Sequence, residues 1–233
     1  MNKSKMNGKY VEFTLKQLKK SQREDIPYKV KINNKHFLVY PNVFSPKYFR
    51  DTSFFAQNLK FNKNEKFLDM GCGTGILGII AALSGAIVTA IDINKAAVEN
   101  TEENVKLHHL LKKLKIYEGD LYSPLSNQDK FDTIFWNVPF IYAEKENLTD
   151  LERSVINPKY KLIKRFFDEG KNYLQKDGRI LIGFSKTIGR YDLLIDIARN
   201  AGFSFKKLIA KEIDYGLPIG KISLEIYQFK LKY

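Results

Sequence analysis

A glycine-rich turn between a short apolar segment and an apolar helical segment constrains this chain more than any other feature. The sequence FLDMGCGTGILG occupies residues 67–78 and places Gly71, Gly73 and Gly75 at alternating positions. Glycine has no Cβ atom, so the backbone can turn sharply there and approach a ligand closely. The helix that follows would present unpaired N–H groups at its first turn, which suit an anionic ligand group. We therefore expect a strand–turn–helix unit that binds a small molecule.

Short apolar segments alternate with helical segments from residue 65 onward. This alternation is typical of β-α-β units, in which helices cover both faces of a parallel sheet. The last two strands leave no room for a helix between them, so we predict that the last strand is antiparallel. The fold class is therefore α/β, a Rossmann-like, seven-stranded, mostly parallel sheet. The predicted strands are 66–70, 87–92, 114–118, 131–136, 179–184, 205–209 and 222–230, and the predicted helices among them are 75–84, 95–109, 158–175 and 191–201.

The start of the chain has a different composition from the rest. The first 24 residues carry seven Lys/Arg against two Glu, and no apolar run of the kind found in a secretory signal follows them. The pattern predicts a helix at 11–23, a strand at 36–40 and a second helix at 50–59. We divide the chain into a basic N-terminal arm, residues 1–35, and an α/β domain, residues 36–233.

The formal charge of +13 favours an anionic partner such as RNA, the ribosome or DNA. Only seven of the 39 basic residues are arginines, and arginine is the residue that binds bases and phosphates through two parallel hydrogen bonds. The charge therefore favours a nucleic acid without excluding a protein substrate. It does not predict an oligomeric state.

Cysteine and histidine are too few for several classes of protein. Cys72 is the single cysteine, so an internal disulfide is excluded and a reducing, cytoplasmic location is expected. The three histidines do not form a ligand pattern, and we expect no metal site. The longest uncharged run, 76–91, is shorter than a bilayer requires, so we expect no membrane span.

Three aspartates stand at the ends of successive predicted strands. Asp69 lies near the end of the first strand, Asp92 ends the second, and Asp120 follows the third. A single aspartate in such a place is often a turn residue or a helix cap. The carboxyl ends of parallel strands meet at one edge of the sheet, where folds of this class bind ligands. The three aspartates together therefore indicate a ligand site.

The glycine turn can be read in two registers that imply different cofactors. The sequence GTGILG, residues 73–78, spells the G-x-G-x-x-G dinucleotide fingerprint, and Asp92 stands near the offset expected for a ribose ligand. Starting at Gly71 instead gives Asp-x-Gly-x-Gly-x-Gly directly at the strand end. This second register resembles motif I of the class I S-adenosylmethionine-dependent methyltransferases. We favour it because a dinucleotide site has no standing need for Asp120.

This resemblance implies that residues 36–233 form a class I methyltransferase domain with S-adenosylmethionine as its cofactor. Asp92 would accept both ribose hydroxyls, and Asp120 would bind the adenine amino group. A helix before motif I carries a Ser or Thr near the cofactor in the small-domain members, and Thr52 or Ser53 fits that place. In the same segment, Phe44 or Tyr48 would border the substrate. The cofactor-binding residues implied are Thr52, Asp69, Gly71, Gly73, Gly75, Asp92, Ile93, Asp120, Leu121 and Asn137.

The sequence NVPF, residues 137–140, ends the fourth strand and completes the candidate site. It resembles the N-P-P-Y/F signature of methyltransferases that modify exocyclic amines of nucleic acids or a glutamine amide of a protein. The resemblance implies that the Asn137 side chain and the Val138 carbonyl accept the acceptor's N–H hydrogens, while Phe140 stacks on a planar target. Val138 replaces the first proline of the signature and is restricted only by Pro139, which follows it.

Three functions stay open on the sequence alone. The first is methyl transfer from S-adenosylmethionine to a nitrogen of RNA, DNA, a protein amide or a small molecule, with Asn137, Val138, Pro139 and Phe140 as the catalytic set. The second is an NAD-dependent oxidoreductase. The third is an RNA-binding module that keeps the fold without turnover. The replacement of proline by Val138 also leaves open a weakened or retargeted site, or a simple strand terminator.

Overall fold

The computed structural model describes residues 3–144, 146–217 and 219–232. Helices and strands alternate along most of this length, with one 3₁₀ turn at Lys171–Tyr173. In chain order the elements are α1 (Lys3–Ser21), β1 (Tyr28–Ile32), β2 (Lys35–Val39), α2 (Asp51–Asn58), β3 (Lys66–Met70), α3 (Ile76–Leu83), β4 (Ile87–Asp92), α4 (Lys95–Leu107), β5 (Leu114–Glu118), β6 (Phe131–Asn137), β7 (Ile141–Ala143), α5 (Asp150–Arg153), β8 (Ile156–Pro158), α6 (Lys161–Gly170), β9 (Leu174–Phe184), α7 (Tyr191–Asn200), β10 (Phe203–Asp214) and β11 (Lys221–Leu231).

The central sheet has seven strands in the order β10-β11-β9-β6-β3-β4-β5. Strands β9, β6, β3, β4 and β5 are parallel to one another, whereas β11 is antiparallel to both β9 and β10. This arrangement confirms the predicted fold class and the antiparallel last strand. The chain moves outward from β3 to β5 and then returns to the other side of β3 for β6. A crevice opens at such a reversal, outside the carboxyl ends of the strands.

Two apolar clusters cover the two faces of the sheet. One contains Phe55 of α2, Ile79 of α3 and Val105 of α4, and the other contains Phe166 of α6 and Leu194 of α7. Neighbouring residues on one strand point to opposite faces, so each buried strand supplies both clusters. The helices therefore lie on both faces of the sheet, as a parallel sheet requires.

Helix α1 and strand β1 pack onto the rest of the chain. Tyr10 and Leu18 of α1 and Ile32 of β1 are buried in the same cluster as α2. Strand β1 pairs with β2 in an antiparallel hairpin. The domain boundary at residue 35 stays a prediction. Among the described residues, no helix is long and apolar enough to cross a membrane.

Several predicted elements differ from the structure in their bounds, and a few short elements were not predicted. Helix α1 spans Lys3–Ser21 rather than 11–23, and β1, β7, α5 and β8 have no counterpart among the predictions. Strand β10 continues to Asp214 instead of ending at 209 because its last residues pair with the start of β11. It is an edge strand with mostly exposed side chains, so it lacks the apolar alternation that identifies a strand in a sequence.

The predicted helix at 158–175 was too long at both ends. Residues Ile156–Pro158 form β8, and the helix begins only at Lys161 because Lys159 and Tyr160 both have left-handed backbone angles. It ends at Gly170, after which a 3₁₀ turn leads into β9 at Leu174. Strand β9 therefore starts five residues before the predicted 179.

Candidate functional site

The glycine turn joins β3 to α3, and all three of its alternating glycines have left-handed backbone angles. The φ values are +62° at Gly71, +56° at Gly73 and +73° at Gly75, where side chains cause strain. A Cβ atom on Gly71 would lie 3.0 Å from the Trp136 ring nitrogen, and one on Gly75 would lie 2.6 Å from Thr101 Cγ2. A Cβ on Gly73 would meet nothing within 4 Å. The first and third glycines are thus needed for packing, while the second faces open space.

Two of the predicted aspartates brace this turn. Asp69 accepts a hydrogen bond from the Gly78 N–H at 2.8 Å, and Asp92 accepts one from the Gly73 N–H at 2.8 Å and another from the Asn94 N–H at 2.9 Å. Burial raises the pKa of Asp69 to about 7, and the neighbouring Asp92 charge adds to that shift. Burial also raises the pKa of Asp92, against the effect of its backbone hydrogen bonds.

A cavity of about 300 Å³ lies at the carboxyl ends of β3, β4 and β6. This volume is at the lower end of the range for small-molecule sites. Most of the predicted site residues line it: Thr52, Asp69, Gly71, Gly73, Asp92, Ile93, Asp120, Leu121, Asn137 and Pro139. Three predicted residues lie outside its wall. Gly75 caps the start of α3, and Val138 and Phe140 line a neighbouring cavity.

The residues that line the larger cavity fit S-adenosylmethionine. Asp92 and Asp120 offer carboxylates for hydroxyl and amino groups, and Ile93 and Leu121 offer apolar surface for a planar base. The space above Gly73 allows a ligand to approach the backbone. One oxygen of Asp120 is already bound by Arg165 Nη1 of α6 at 2.8 Å. No sequence pattern indicated Arg165, because α6 is remote in the chain and only the fold brings it to Asp120.

A second, smaller cavity of about 40 Å³ lies directly beyond Asn137. Asn137, Phe44 and Ser154 line both cavities. Phe44 therefore stands at the predicted substrate border, stacked on Phe49 with ring centroids 4.4 Å apart. Tyr48 lines neither cavity; its hydroxyl instead donates a hydrogen bond to Glu24. The remaining wall of the smaller cavity is aromatic, apolar or weakly polar except for one carboxylate, that of Asp51: Phe13, Thr14, Phe49, Asp51, Val138, Phe140, Val155, Ile188, Tyr215, Ile222 and Leu224.

The Asn137 amide is held by one end only. Its Nδ2 donates a hydrogen bond to Asp51 Oδ2 at 2.9 Å, while its Oδ1 is buried and has no hydrogen-bond partner among the described residues. Asp51 also accepts the Thr52 N–H at 2.8 Å. Burial raises the pKa of Asp51, and the hydrogen bond from Asn137 opposes that rise. A buried polar atom without a partner costs free energy and calls for an explanation.

Sequence reasoning placed a Ser or Thr of the helix at 50–59 near the cofactor and missed Asp51. An aspartate in the first turn of a helix has an ordinary explanation, since it favours the positive end of the helix dipole. Its contact with Asn137 joins residues 86 positions apart in the chain. No local pattern reports such a contact. Among the described residues, no group of three or more His, Cys, Asp or Glu side chains could hold a metal ion.

The strand order, the glycine turn and the carboxylates at successive strand ends together define the fold of a class I S-adenosylmethionine-dependent methyltransferase. The chain belongs to the methyltransferase small-domain family, whose sequence model matches residues 34–207. It is therefore an S-adenosylmethionine-dependent methyltransferase.

Individual relatives agree with the family match. A protein of Methanocaldococcus jannaschii, provisionally named a protein N5-glutamine methyltransferase, is 30% identical over 164 residues, which are 67% of this chain and 79% of that protein. The ribosomal RNA small subunit methyltransferase C of Hamiltonella defensa is 30% identical over 146 residues. Those residues are 58% of this chain but only 39% of that relative.

Solved structures show the same fold. The tRNA m1G37 methyltransferase of M. jannaschii superposes with a TM-score of 0.62 at 19% identity, covering 91% of this chain and 59% of that one. A structure described provisionally as a methyltransferase, in complex with S-adenosylhomocysteine, gives a TM-score of 0.63 at 12% identity. It covers 89% of this chain and 57% of that one. At these identities the likeness shows the fold alone.

Proposed function

We propose that this protein transfers a methyl group from S-adenosylmethionine to a nitrogen atom of a nucleic acid or of a protein amide, and that Asn137 orients that nitrogen. The observation that carries the proposal is the buried Oδ1 of Asn137, which lacks a partner among the described residues and belongs to a side chain that lines both cavities. An acceptor N–H placed there would satisfy it. The strand-terminator alternative leaves this atom unexplained.

The acceptor nitrogen needs help because its lone pair is delocalised into a ring or a carbonyl. When bound, S-adenosylmethionine supplies an electrophilic methyl group, so that a C–N bond forms as the C–S bond breaks. Asn137 Oδ1 and the Val138 carbonyl would accept the two N–H hydrogens, directing the lone pair and stabilising the positive charge that develops on nitrogen. Asp51 would keep the amide in the orientation that leaves Oδ1 free. The nitrogen can lose its proton after transfer, so no strong base is required.

The same proposal assigns the cofactor contacts. Asp92 would hold the ribose hydroxyls and Asp120 the adenine amino group, with Ile93 and Leu121 against the adenine ring. The backbone of Gly71, Gly73 and Gly75 would face the amino-acid part of the cofactor, beside Asp69 and Thr52. All of these except Gly75 line the larger cavity, which supports the assignment. Gly75 would act through the shape of the turn.

The distribution of positive charge favours RNA as the partner. Residues 1–35 carry ten of the 39 basic residues and three of the 26 acidic ones, hence seven of the thirteen net positive charges. Helix α1 turns Phe13 and Thr14 towards the smaller cavity, while Lys16, Lys19, Lys20 and Arg23 are exposed. Within the described residues, none of these four forms an ion pair. A polyanion bound there would lie about 10 Å from the smaller cavity, the diameter of one helix.

A glutamine amide is the second candidate acceptor. The smaller cavity, at about 40 Å³, holds roughly three water-sized groups, which suits an amide better than a purine. The match to the M. jannaschii relative that is named as a glutamine methyltransferase covers most of that relative's length. We also propose a cytoplasmic location, supported by relatives named for ribosomal substrates and by the free Cys72.

Calorimetric titration with S-adenosylmethionine, S-adenosylhomocysteine and NAD in parallel tests the cofactor. We expect binding of the first two and none of NAD. Radiolabelled methyl transfer to separate RNA, DNA and protein fractions then identifies the acceptor. Label on an oxygen or carbon atom of the product, or no label in any fraction, would contradict the proposal.

A charge variant with a matched control tests the RNA partner. We expect the variant K16Q/K19Q/K20Q/R23Q to bind a 20-nucleotide RNA more weakly. Its affinity should also depend less on salt: the slope of log affinity against log salt concentration should fall by about 0.7 for each phosphate that is no longer neutralised. The control K66Q/K112Q/K113Q/K115Q removes the same charge at the amino ends of β3 and β5, the edge opposite the site. Equal weakening of both variants would show diffuse attraction rather than a binding face.

A further inference from the structure

A buried tyrosine hydroxyl contacts the last residue of the NVPF motif. Tyr160 is fully buried. Its Oη donates a hydrogen bond to the Phe140 carbonyl at 2.6 Å and accepts one from the backbone N–H of Arg190 at 2.9 Å. This one side chain therefore joins the last residue of the motif to the loop after β9. Neither contact was visible in the sequence, in which Tyr160 was predicted to lie inside a helix.

The backbone around Tyr160 is shaped for this contact. Strand β7, directly after the motif, pairs with β8 in a parallel two-stranded sheet. Lys159 and Tyr160 then reverse the chain with φ values of +49° and +53°. Left-handed angles are uncommon outside glycine and cost free energy unless the surrounding structure enforces them. Two in succession place the Tyr160 ring beneath the motif before α6 begins.

Gly189 completes the arrangement from the other side. A Cβ atom on Gly189 would lie 2.7 Å from the Phe140 carbonyl oxygen and 2.9 Å from Tyr160 Oη. It would also lie 2.5 Å from the Phe184 ring, which packs edge-on against Phe140. Only glycine leaves room for the hydroxyl and the carbonyl to meet. Three separate segments of the chain are thus adapted to one hydrogen bond.

We propose that Tyr160 is a positioning residue for methyl transfer, and that its hydroxyl fixes the backbone of the NVPF motif in place of the missing first proline. This inference rests on the proposed function of Asn137. At the start of the motif, Asn137 is fixed in the sheet opposite Gly183 of β9. At its end, the Phe140 carbonyl is fixed by Tyr160. Between these two points the Val138 side chain is buried and Pro139 has its φ set by its ring.

The tyrosine hydroxyl is suited to a permanent hydrogen bond. Burial raises the pKa of Tyr160, so the hydroxyl keeps its proton and remains a donor to the Phe140 carbonyl. Its lone pairs stay available for the Arg190 N–H. A loop held at both ends keeps the Val138 carbonyl and the Phe140 ring in one orientation, and misplacement by about 1 Å can lower a rate by about a hundredfold.

Tyr160→Phe tests the proposal, since it removes the hydroxyl and retains the ring. We expect kcat to fall about tenfold to a hundredfold while the affinity for S-adenosylhomocysteine changes less than about twofold. We also expect faster amide hydrogen exchange in the peptide that covers residues 137–142. Tyr122→Phe is the matched control, because Tyr122 is equally buried, donates to the Phe166 carbonyl at 3.2 Å and contacts a glycine, Gly170.

The two readouts separate this inference from the proposed function. If the wild-type protein transfers no methyl group, the proposed function fails, and hydrogen exchange still decides whether Tyr160 orders the motif. If Tyr160→Phe lowers the melting temperature as much as Tyr122→Phe but leaves kcat and exchange at 137–142 unchanged, Tyr160 is a structural residue only and the inference is overturned.

Discussion

Two regions of this molecule, helix α4 and the end of β6, contain asparagine amides whose hydrogen bonding differs. On α4, Asn100 and Asn104 are fully buried, and each has both ends of its amide bonded. Asn100 joins the Tyr40 N–H and the Leu38 carbonyl at 2.9 and 3.0 Å. Asn104 accepts from the Leu38 N–H at 2.7 Å and donates to the Leu38 and Thr74 carbonyls at 2.8 and 2.9 Å.

At the end of β6, by contrast, Asn137 has a partner for its nitrogen and, among the described residues, none for its oxygen. The α4 amides link the β1–β2 hairpin to the glycine turn, and both donate to the Leu38 carbonyl. The Asn137 side chain lines both cavities, and its Oδ1 remains a hydrogen-bond acceptor without a partner among the described residues. A fully bonded buried amide indicates a role in stability. An amide whose unpaired oxygen belongs to a side chain lining two cavities, as at Asn137, indicates a ligand.

The largest expected effect is that of Asn137→Ala on catalysis. We expect kcat to fall about a hundredfold to a thousandfold, the usual result of removing one preorganised group at a developing charge. The melting temperature should fall little, because the buried oxygen without a partner is removed together with the hydrogen bond to Asp51. Turnover and calorimetric cofactor affinity are measured together. Unchanged turnover would remove Asn137 from the mechanism.

Asn104→Ala should have the opposite character, with a large loss of stability. It leaves the Leu38 N–H and the Thr74 carbonyl without their partners, at about 1–3 kcal/mol for each buried group. We expect the melting temperature to fall by about 6–12 °C, taking about 3 kcal/mol in a chain of this size. Differential scanning calorimetry measures it. A stable Asn104→Ala variant with reduced kcat would show that Asn104 and Asn137 do not differ in role.

Asp51→Ala should have a smaller effect, since it acts through Asn137. Without Asp51 the amide can turn, and its oxygen then faces the cavities for only part of the time. We expect kcat to fall about tenfold, the equivalent of about 1.4 kcal/mol, with no loss of stability because a buried carboxylate is removed. Asp51→Asn serves as the control that retains an acceptor. Equal activity of both variants and the wild type would show that Asn137 needs no support.

The smallest effect concerns Asp69 and the pH dependence of stability. Its folded-state pKa of about 7 lies above the ordinary aspartate value of 3.8, so between about pH 4 and 7 the unfolded chain ionises while the folded protein stays protonated. Stability is therefore lost as pH rises through that window. Asp69→Asn should narrow the difference in melting temperature between pH 4.5 and pH 7.5, because asparagine does not titrate. A wider difference would contradict the assigned pKa direction.

The central sheet was predicted well from the sequence and its surroundings less well. The strands at 66–70, 87–92 and 114–118 have the predicted bounds, because these parallel strands are short and each is closed by a glycine or an aspartate. Strand β10 and the small sheet of β7 and β8 carry no comparable signal. Their residues are exposed or few, so their pairing is decided by neighbours rather than by composition. Helix α6 likewise begins later than predicted, because Lys159 and Tyr160 before it have left-handed backbone angles.

For this protein the sequence by itself determined the fold class, the glycine turn and the row of carboxylates at the carboxyl edge. These features are local, since each follows from periodicity or from the backbone freedom of glycine. Only the tertiary structure decided which partners complete the site. Asp51 on Asn137, Arg165 on Asp120 and Tyr160 on Phe140 are contacts between residues 20 to 86 positions apart. Such contacts exist only once the sheet and its helices have been packed together, because their geometry depends on the whole fold rather than on neighbours in the chain.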